Sequence, residues 1–225
     1  MRVGSVFSGI LGLDWAVCEH YNASMAFAIE RDPFCRTLIK KRHPGLVVHD
    51  DLLTADPALF PPVDILAASP PCQDITVAGR RAGLIEGARS SLFFRFVYFA
   101  SQLSPKPRLI VMENTPAFIR QYRGLVEKAL NHIDYGCTLV LCTAQSAGAP
   151  HKRERAFVVA EHGTKNQGLV VDLTSTPGPL WPTPMASDHR PRGDIHRTPS
   201  VKRRMKNGRQ LNLSMVAGSS LSPDW

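Results

Sequence analysis

Along the first 160 residues, short runs of β-branched and other apolar residues alternate with longer segments in which apolar and polar positions mix. This is the βαβα pattern of a mostly parallel, doubly wound sheet covered by helices. It predicts strands at Val3–Phe7, Met25–Ile29, Val63–Ala67, Arg108–Met112, Thr138–Thr143 and Ala156–Ala160. Helices are predicted between them at Leu13–Tyr21, Pro33–His43, Ser91–Leu103 and Pro116–Ile133. Asp32 is placed to cap the second helix, with Pro33 early in it, where a missing N–H leaves no bond unmade.

The pattern changes after Ala160. Glu161–Gly178 reads as a connector, and Pro177–Trp225 is rich in Pro, Arg, Ser and Gly with little apolar periodicity. The expected organisation is an α/β domain over residues 1–160 and a basic, irregular Pro/Arg-rich segment over 161–225.

At 225 residues the chain has room for one full domain and part of a second. Hydrophobic residues at 44% and charged residues at 20% exclude wholesale disorder. Lys and Arg number 27 against 19 Asp and Glu, a formal +8 that points to a polyanionic partner. From Trp181 to Trp225 there are eight bases (Arg190, Arg192, Arg197, Lys202, Arg203, Arg204, Lys206, Arg209) against three acids, so most of that net charge sits in the tail. Such a segment is either a phosphate-contacting appendage or a flexible tail. The five cysteines are odd in number with no C-x-x-C pair, so neither a disulfide framework nor a metal site is expected. No apolar run approaches the roughly 18 residues of a membrane span, and Met1-Arg2-Val3-Gly4 leads straight into a strand-like pattern without a signal peptide. The chain reads as soluble and intracellular.

Several strand ends carry residues capable of chemistry. Phe7-Ser8-Gly9-Ile10-Leu11-Gly12-Leu13 is a glycine-containing turn from the first strand into a helix, which any α/β protein needs but which also lets a ligand approach backbone N–H groups. The second strand ends in Glu30, at the spacing where doubly wound folds place an acid on a ribose hydroxyl. Together the two favour a nucleoside-bearing cofactor. Ser69-Pro70-Pro71-Cys72-Gln73 follows the third predicted strand, with Cys72 held by two prolines; the thiol is either a small buried hydrophobe or a reactive group. Glu113-Asn114-Thr115-Pro116 follows the next strand, its carboxylate either a favourable charge at a helix N-terminus or an acid near the thiol. His151-Lys152-Arg153-Glu154-Arg155 abuts the last strand.

In this order, these residues resemble the DNA cytosine-C5 methyltransferase family, over about residues 3 to 160. Phe7–Gly12 resembles the family's cofactor turn F-x-G-x-G-G, Glu30 falls at its ribose-binding acid, and Asp51-Leu52 looks like its adenine-side pair. Pro71-Cys72-Gln73 matches the nucleophile motif, Gly87–Phe93 is similar to the segment after the catalytic loop, Glu113-Asn114 matches E-N-V, and Arg153 and Arg155 match Q-x-R-x-R. The resemblance implies the Rossmann-like fold of S-adenosylmethionine-dependent methyltransferases. It implies Cys72, Glu113, Arg153 and Arg155 as catalytic residues, with Phe7, Ser8, Gly9, Gly12, Leu13, Glu30, Arg31, Asp51, Leu52, Pro70 and Leu92 around S-adenosylmethionine. Gln73, Arg80, Arg81, Arg89, Asn114, Arg203 and Arg204 are implied to contact nucleic acid.

The implied reaction is methylation of cytosine C5 in double-stranded DNA, on a base flipped out of the helix, through a covalent bond from Cys72 to C6. A restriction-modification or phage setting follows, in the cytoplasm of a bacterium or infected host. A catalytically impaired DNA-binding member and an RNA cytosine-C5 methyltransferase are the alternatives. Leu11 stands where the family has a glycine, a substitution able to crowd the methionine end of the cofactor or alter which donor fits; Thr115 and His151 are milder departures. The family's target-recognition domain, its supporting helix and a G-N-x-V/x-P-like segment are not recognisable. Trp181–Asp188 and Leu221–Trp225 look like stretches of short, phage-type relatives, so a truncated product, an excised piece, or one half of a split enzyme completed by a second polypeptide is expected.

Overall fold

The computed structural model describes residues 1–71, 92–149, 151–164 and 169–174. By contact the chain divides into two compact units, Met1–Leu141 with Arg155–Asp172, and Cys142–Glu154 with Leu173–Trp225.

An eight-stranded sheet forms from β1 (Arg2–Val6), β2 (Ser24–Ile29), β3 (Val47–His49), β4 (Ile65–Ala68), β5 (Leu109–Asn114), β6 (Tyr135–Thr143), β7 (Glu154–His162) and β8 (Leu169–Asp172) in the order β3-β2-β1-β4-β5-β7-β6-β8. The pairs from β3 through β5 are parallel, and β7 runs antiparallel to β5. The α-helices among the described residues are α1 (Gly12–Tyr21), α2 (Pro33–Arg42), α3 (Leu92–Gln102) and α4 (Pro116–His132). Asp32 caps α2 by accepting from the N–H groups of Phe34 and Cys35, and Pro116 opens α4.

All six predicted strands and four predicted helices form, with ends moved by a few residues. Two strands had no signal. β3 is three residues long with Val47 exposed, and β8 lies in the stretch read as a connector, with Leu169 exposed. Edge strands this short bury too little to print an apolar alternation.

The central strands are buried on both faces, which is why they read as continuous apolar runs. Their side chains alternate between faces. Val3, Ile65, Ala67, Leu109 and Val111 pack with Val17 of α1, whereas Val6, Leu66, Ala68, Ile110 and Met112 join the larger core with Phe93, Phe96, Phe118 and Leu130. Phe27, Phe60 and Phe99 meet edge to face within that larger core. No described helix is long and apolar enough to cross a membrane.

Candidate active site

Strand register assembles the site. Val6 pairs with Ile29 and Ala68, Ile29 with His49, and Ala68 with Met112, so the first residues beyond β1 to β4, and the end of β5, share one edge of the sheet. In open α/β sheets this carboxyl edge is where ligands bind. Phe7–Gly12, Glu30, Asp51, Pro70 and Glu113-Asn114 all stand there.

The turn after β1 is wound tightly, with Phe7, Gly9 and Leu11 at φ 56°, 52° and 69°. A β-carbon at Gly9 or Gly12 would meet nothing within 4 Å, so open space lies above the turn. Glu30 spans the turn: one carboxylate oxygen accepts the Gly9 N–H at 2.6 Å and the other the Asp32 N–H at 2.8 Å. Arg36 steadies the peptide units around this acid, donating through Nη1 to the carbonyls of Glu30 at 3.1 Å and Arg31 at 2.5 Å. Beneath the turn, Ser8 Oγ donates to the Ile29 carbonyl at 3.2 Å and stands 2.7 Å from Ser5 Oγ. Asp14 is buried in the first turn of α1, and burial lifts its carboxyl to about pKa 6.

Leu11 is the N-cap of α1 in a left-handed conformation that costs a non-glycine residue about 1 kcal/mol. Its side chain is 4% exposed and packs with Ala28 and Ile39. The substitution that threatened to crowd a ligand therefore directs its bulk into the core instead. The remaining turn residues are graded in exposure, with Ser8 buried, Phe7 and Leu13 half-buried, and Gly12 open. Asp51 Oδ1 accepts the Leu53 N–H at 2.9 Å, Leu52 is buried beside it, Leu92 begins α3, and Arg31 is exposed.

On the neighbouring strands, Glu113 and Asn114 close β5. Antiparallel β7 begins at this same edge, with Phe157 opposite Glu113, so Arg155 lies two residues along on the face that Glu113 shares. Its Nε meets Glu113 Oε1 at 2.5 Å, both side chains 26% exposed. Asn114 is buried; its amide donates to the Pro70 carbonyl at 2.9 Å and its side-chain oxygen accepts the Thr115 N–H at 2.8 Å. The bond to Pro70 ties β5 to the residue two before Cys72. Arg153 is exposed, and its carbonyl accepts the Ala144 N–H at 2.8 Å. Cys72, Gln73, Arg80, Arg81, Arg89, Arg203 and Arg204 lie outside the described residues.

Glu30, Glu113 and Arg155 stand out in the sequence, whereas the buried Asp14 and the Arg36 that donates to the Glu30 and Arg31 carbonyls do not. Asp14 reads in sequence as an ordinary first-turn helix acid, and Arg36 as one of several bases on α2. Neither carries a signal without the fold.

The central sheet, parallel but for a strand inserted beside β5, defines a Rossmann-like α/β architecture. DNMT2 structures share it: the chain superposes on a Spodoptera frugiperda variant with TM-score 0.63, at 18% identity over 87% of this chain and 58% of that one. The S. pombe Dnmt2 methyltransferase gives TM-score 0.58 at 21% identity over 74% and 50%. Within that class, the model of the family C-5 cytosine-specific DNA methylase matches residues 1–217, and the chain belongs to this family. It is 27% identical over 195 residues to the type II methyltransferase M2.BsuMI of Bacillus subtilis, covering 84% of this chain and 49% of that protein. It is likewise 27% identical over 163 residues to M.HhaI of Haemophilus parahaemolyticus, covering 71% and 48%. The chain thus spans about half the length of these relatives, but 80% of M.AquIA from Picosynechococcus, to which it is 27% identical over 202 residues.

Proposed function

We propose that this chain transfers a methyl group from S-adenosylmethionine to C5 of cytosine in double-stranded DNA, with Cys72 as nucleophile and Glu113 and Arg155 at the base. The observation that carries the reading is the pairing of Glu113 with Arg155 on the edge where Asn114 holds Pro70, immediately before Pro71-Cys72. A half-buried acid, its cation and the anchor of a thiol-bearing segment are thereby brought to adjoining strand ends.

The edge suits the cofactor. The open space over Gly9 and Gly12 accommodates a ligand against backbone, and the Glu30 carboxylate retains lone pairs for ribose hydroxyls after accepting its two N–H bonds. Phe7, Ser8, Leu13, Arg31, Asp51, Leu52, Pro70 and Leu92 complete the proposed binding surface. When bound, S-adenosylmethionine supplies an electrophilic methyl group.

Cytosine C5 is a weak nucleophile, so this chain's residues must activate it. The Cys72 thiolate adds to C6 while Glu113 hydrogen-bonds the N3 and N4 edge, making C5 enamine-like. After C5 is methylated, loss of its proton expels Cys72 and restores the ring. Arg155 holds Glu113 and, with Arg153, the base O2 and the segment bearing Cys72. C6 is inaccessible inside a duplex, so the base must be flipped, at a few kcal/mol of unstacking. Gln73, Arg80, Arg81, Arg89 and Asn114 act around the displaced base, and Arg203 and Arg204 of the 161–225 segment contact phosphates. The substrate places the protein in the cytoplasm of a bacterium or a phage-infected cell.

Incubation with S-adenosylmethionine and DNA containing 5-fluorocytosine is the direct test. A fluorine at C5 cannot leave as a proton does, so the wild-type chain is expected to form a covalent adduct stable to denaturation, and Cys72→Ala none. Wild type without adduct removes the catalytic reading; an adduct in Cys72→Ala removes the nucleophile.

A further inference from the structure

Beyond Ile29, the last residue of β2, the chain leaves the sheet and enters α2 at Pro33, and Glu30 stands in that bend with its carboxylate against Gly9. Arg36 is half-buried at the fourth position of α2, near the positive end of the helix dipole, which disfavours a cation. The other bases of this helix, Lys40, Lys41 and Arg42, stand in its last turn, where the dipole favours them. Arg36 instead folds back along the chain, and its Nη1 donates to two consecutive carbonyls, of Glu30 at 3.1 Å and of Arg31 at 2.5 Å.

The second of these bonds reaches the acid through one rigid unit. A trans peptide is planar, with its C=O and N–H pointing opposite ways. The unit whose oxygen is the Arg31 carbonyl carries its N–H on Asp32, and this N–H donates to Glu30 Oε1 at 2.8 Å. Fixing the oxygen on Arg36 therefore aims the N–H at the carboxylate, and a hydrogen bond at the C=O end polarises the N–H and strengthens the bond it donates. The other carboxylate oxygen takes the Gly9 N–H at 2.6 Å, so the acid is held between the turn after β1 and a peptide clamped from α2. Among the described residues Glu30 forms no ion pair, so Arg36 grips the backbone around the acid and leaves the remaining carboxylate lone pairs to a ligand.

We propose that Arg36 is a positioning residue for cofactor binding, acting through the Arg31–Asp32 peptide to orient Glu30 toward the ribose hydroxyls. The proposal rests on the cofactor reading above. The test measures, by calorimetry, the Kd of S-adenosylmethionine and of its analogue lacking both ribose hydroxyls, on full chains verified as folded by circular dichroism. Wild type is expected to prefer S-adenosylmethionine by about tenfold or more, the scale of a hydrogen bond to a charged group. Arg36→Met is expected to weaken S-adenosylmethionine about tenfold and the analogue by no more than about twofold, because the loss runs through a carboxylate that the analogue does not use. An arginine that merely supported the start of α2 would, when lost, weaken both ligands alike and leave the preference intact. Should Arg36→Met fail to fold, Arg36→Gln, too short to reach both carbonyls, is read the same way. Wild type that binds no S-adenosylmethionine, or binds the two ligands alike, overturns the ribose role of Glu30 and the proposal together. Wild type that shows the preference, with the Arg36 variant keeping it, overturns the proposal alone.

Discussion

Glu113 and Arg155 show how much one pair of side chains asks of its surroundings. Each is about a quarter exposed, enough water to lower the strength of the ion pair and little enough to keep both groups aimed. Under the proposed mechanism, Glu113→Gln keeps the shape but removes the carboxylate that Arg155 meets and, with it, the proton-handling group. A fall in methyl transfer of roughly 100-fold or more is expected, the scale of a positioned acid or base, with the S-adenosylmethionine Kd within a few fold. A loss confined to that Kd would move Glu113 into the cofactor site. Asp14 carries a second expectation at this scale. Its pKa is raised from 3.8 to about 6, so the folded state holds this proton more tightly than the unfolded chain. The associated stability is fully present below about pH 4 and lost as pH rises through about 6. Cys18, its titratable neighbour on α1, has a pKa raised by burial and by Asp14, and stays neutral in that window. In urea unfolding, wild type is expected to lose on the order of 2–3 kcal/mol relative to Asp14→Asn between about pH 4 and 7.

Among the elements, β1 is the strand on which the site is hung, and it passes where space is least. A β-carbon at Gly4 would stand 2.6 Å from Phe27 Cε1 and nearer still to Cζ. Phe27 is fully buried, held by Phe60 at 4.7 Å and Phe99 at 6.3 Å between ring centres, so it cannot swing away. Gly4→Ala is therefore expected to destabilise by about 1–3 kcal/mol, the usual cost of overpacking a core, read as a lower melting temperature. An unchanged midpoint would mean that β1 and β2 separate more easily than their register suggests. The cap on α2 is a smaller matter, since Asp32→Ala removes two hydrogen bonds at an exposed end and costs about 1 kcal/mol.

For the whole molecule, charge has the longest reach. The chain carries a formal +8, and eight bases against three acids fall between Trp181 and Trp225. A protein that neutralises phosphates releases counterions, so log K for DNA should fall steeply with log salt. If the bases from Arg197 to Arg209 grip DNA, removing residues 179–225 is expected to reduce that slope by roughly 0.9 for each phosphate they neutralise. Titrations at several salt concentrations would show it, and an unchanged slope would assign the grip to residues 1–178.

The order of strands and helices was legible in the sequence because buried parallel strands print continuous apolar runs, as Ile65–Ala68 and Leu109–Met112 do, and because Asp32-Pro33 and Thr115-Pro116 mark helix starts with local chemistry. The residues at the strand ends were legible for a related reason: glycines, prolines and carboxylates interrupt those runs at Gly9, Glu30, Pro70 and Glu113. β3 and β8 left no mark, since an edge strand draws its stability from a neighbour's hydrogen bonds more than from its own side chains. Other properties exist only in three dimensions. That Leu11 turns into the core, that Asn114 reaches Pro70 across 44 residues, that Arg155 meets Glu113, and that Asp14 is buried all depend on strand register and on which face each side chain takes. A residue's own neighbours in sequence determine the element it joins, whereas burial and partnership come from residues distant along the chain.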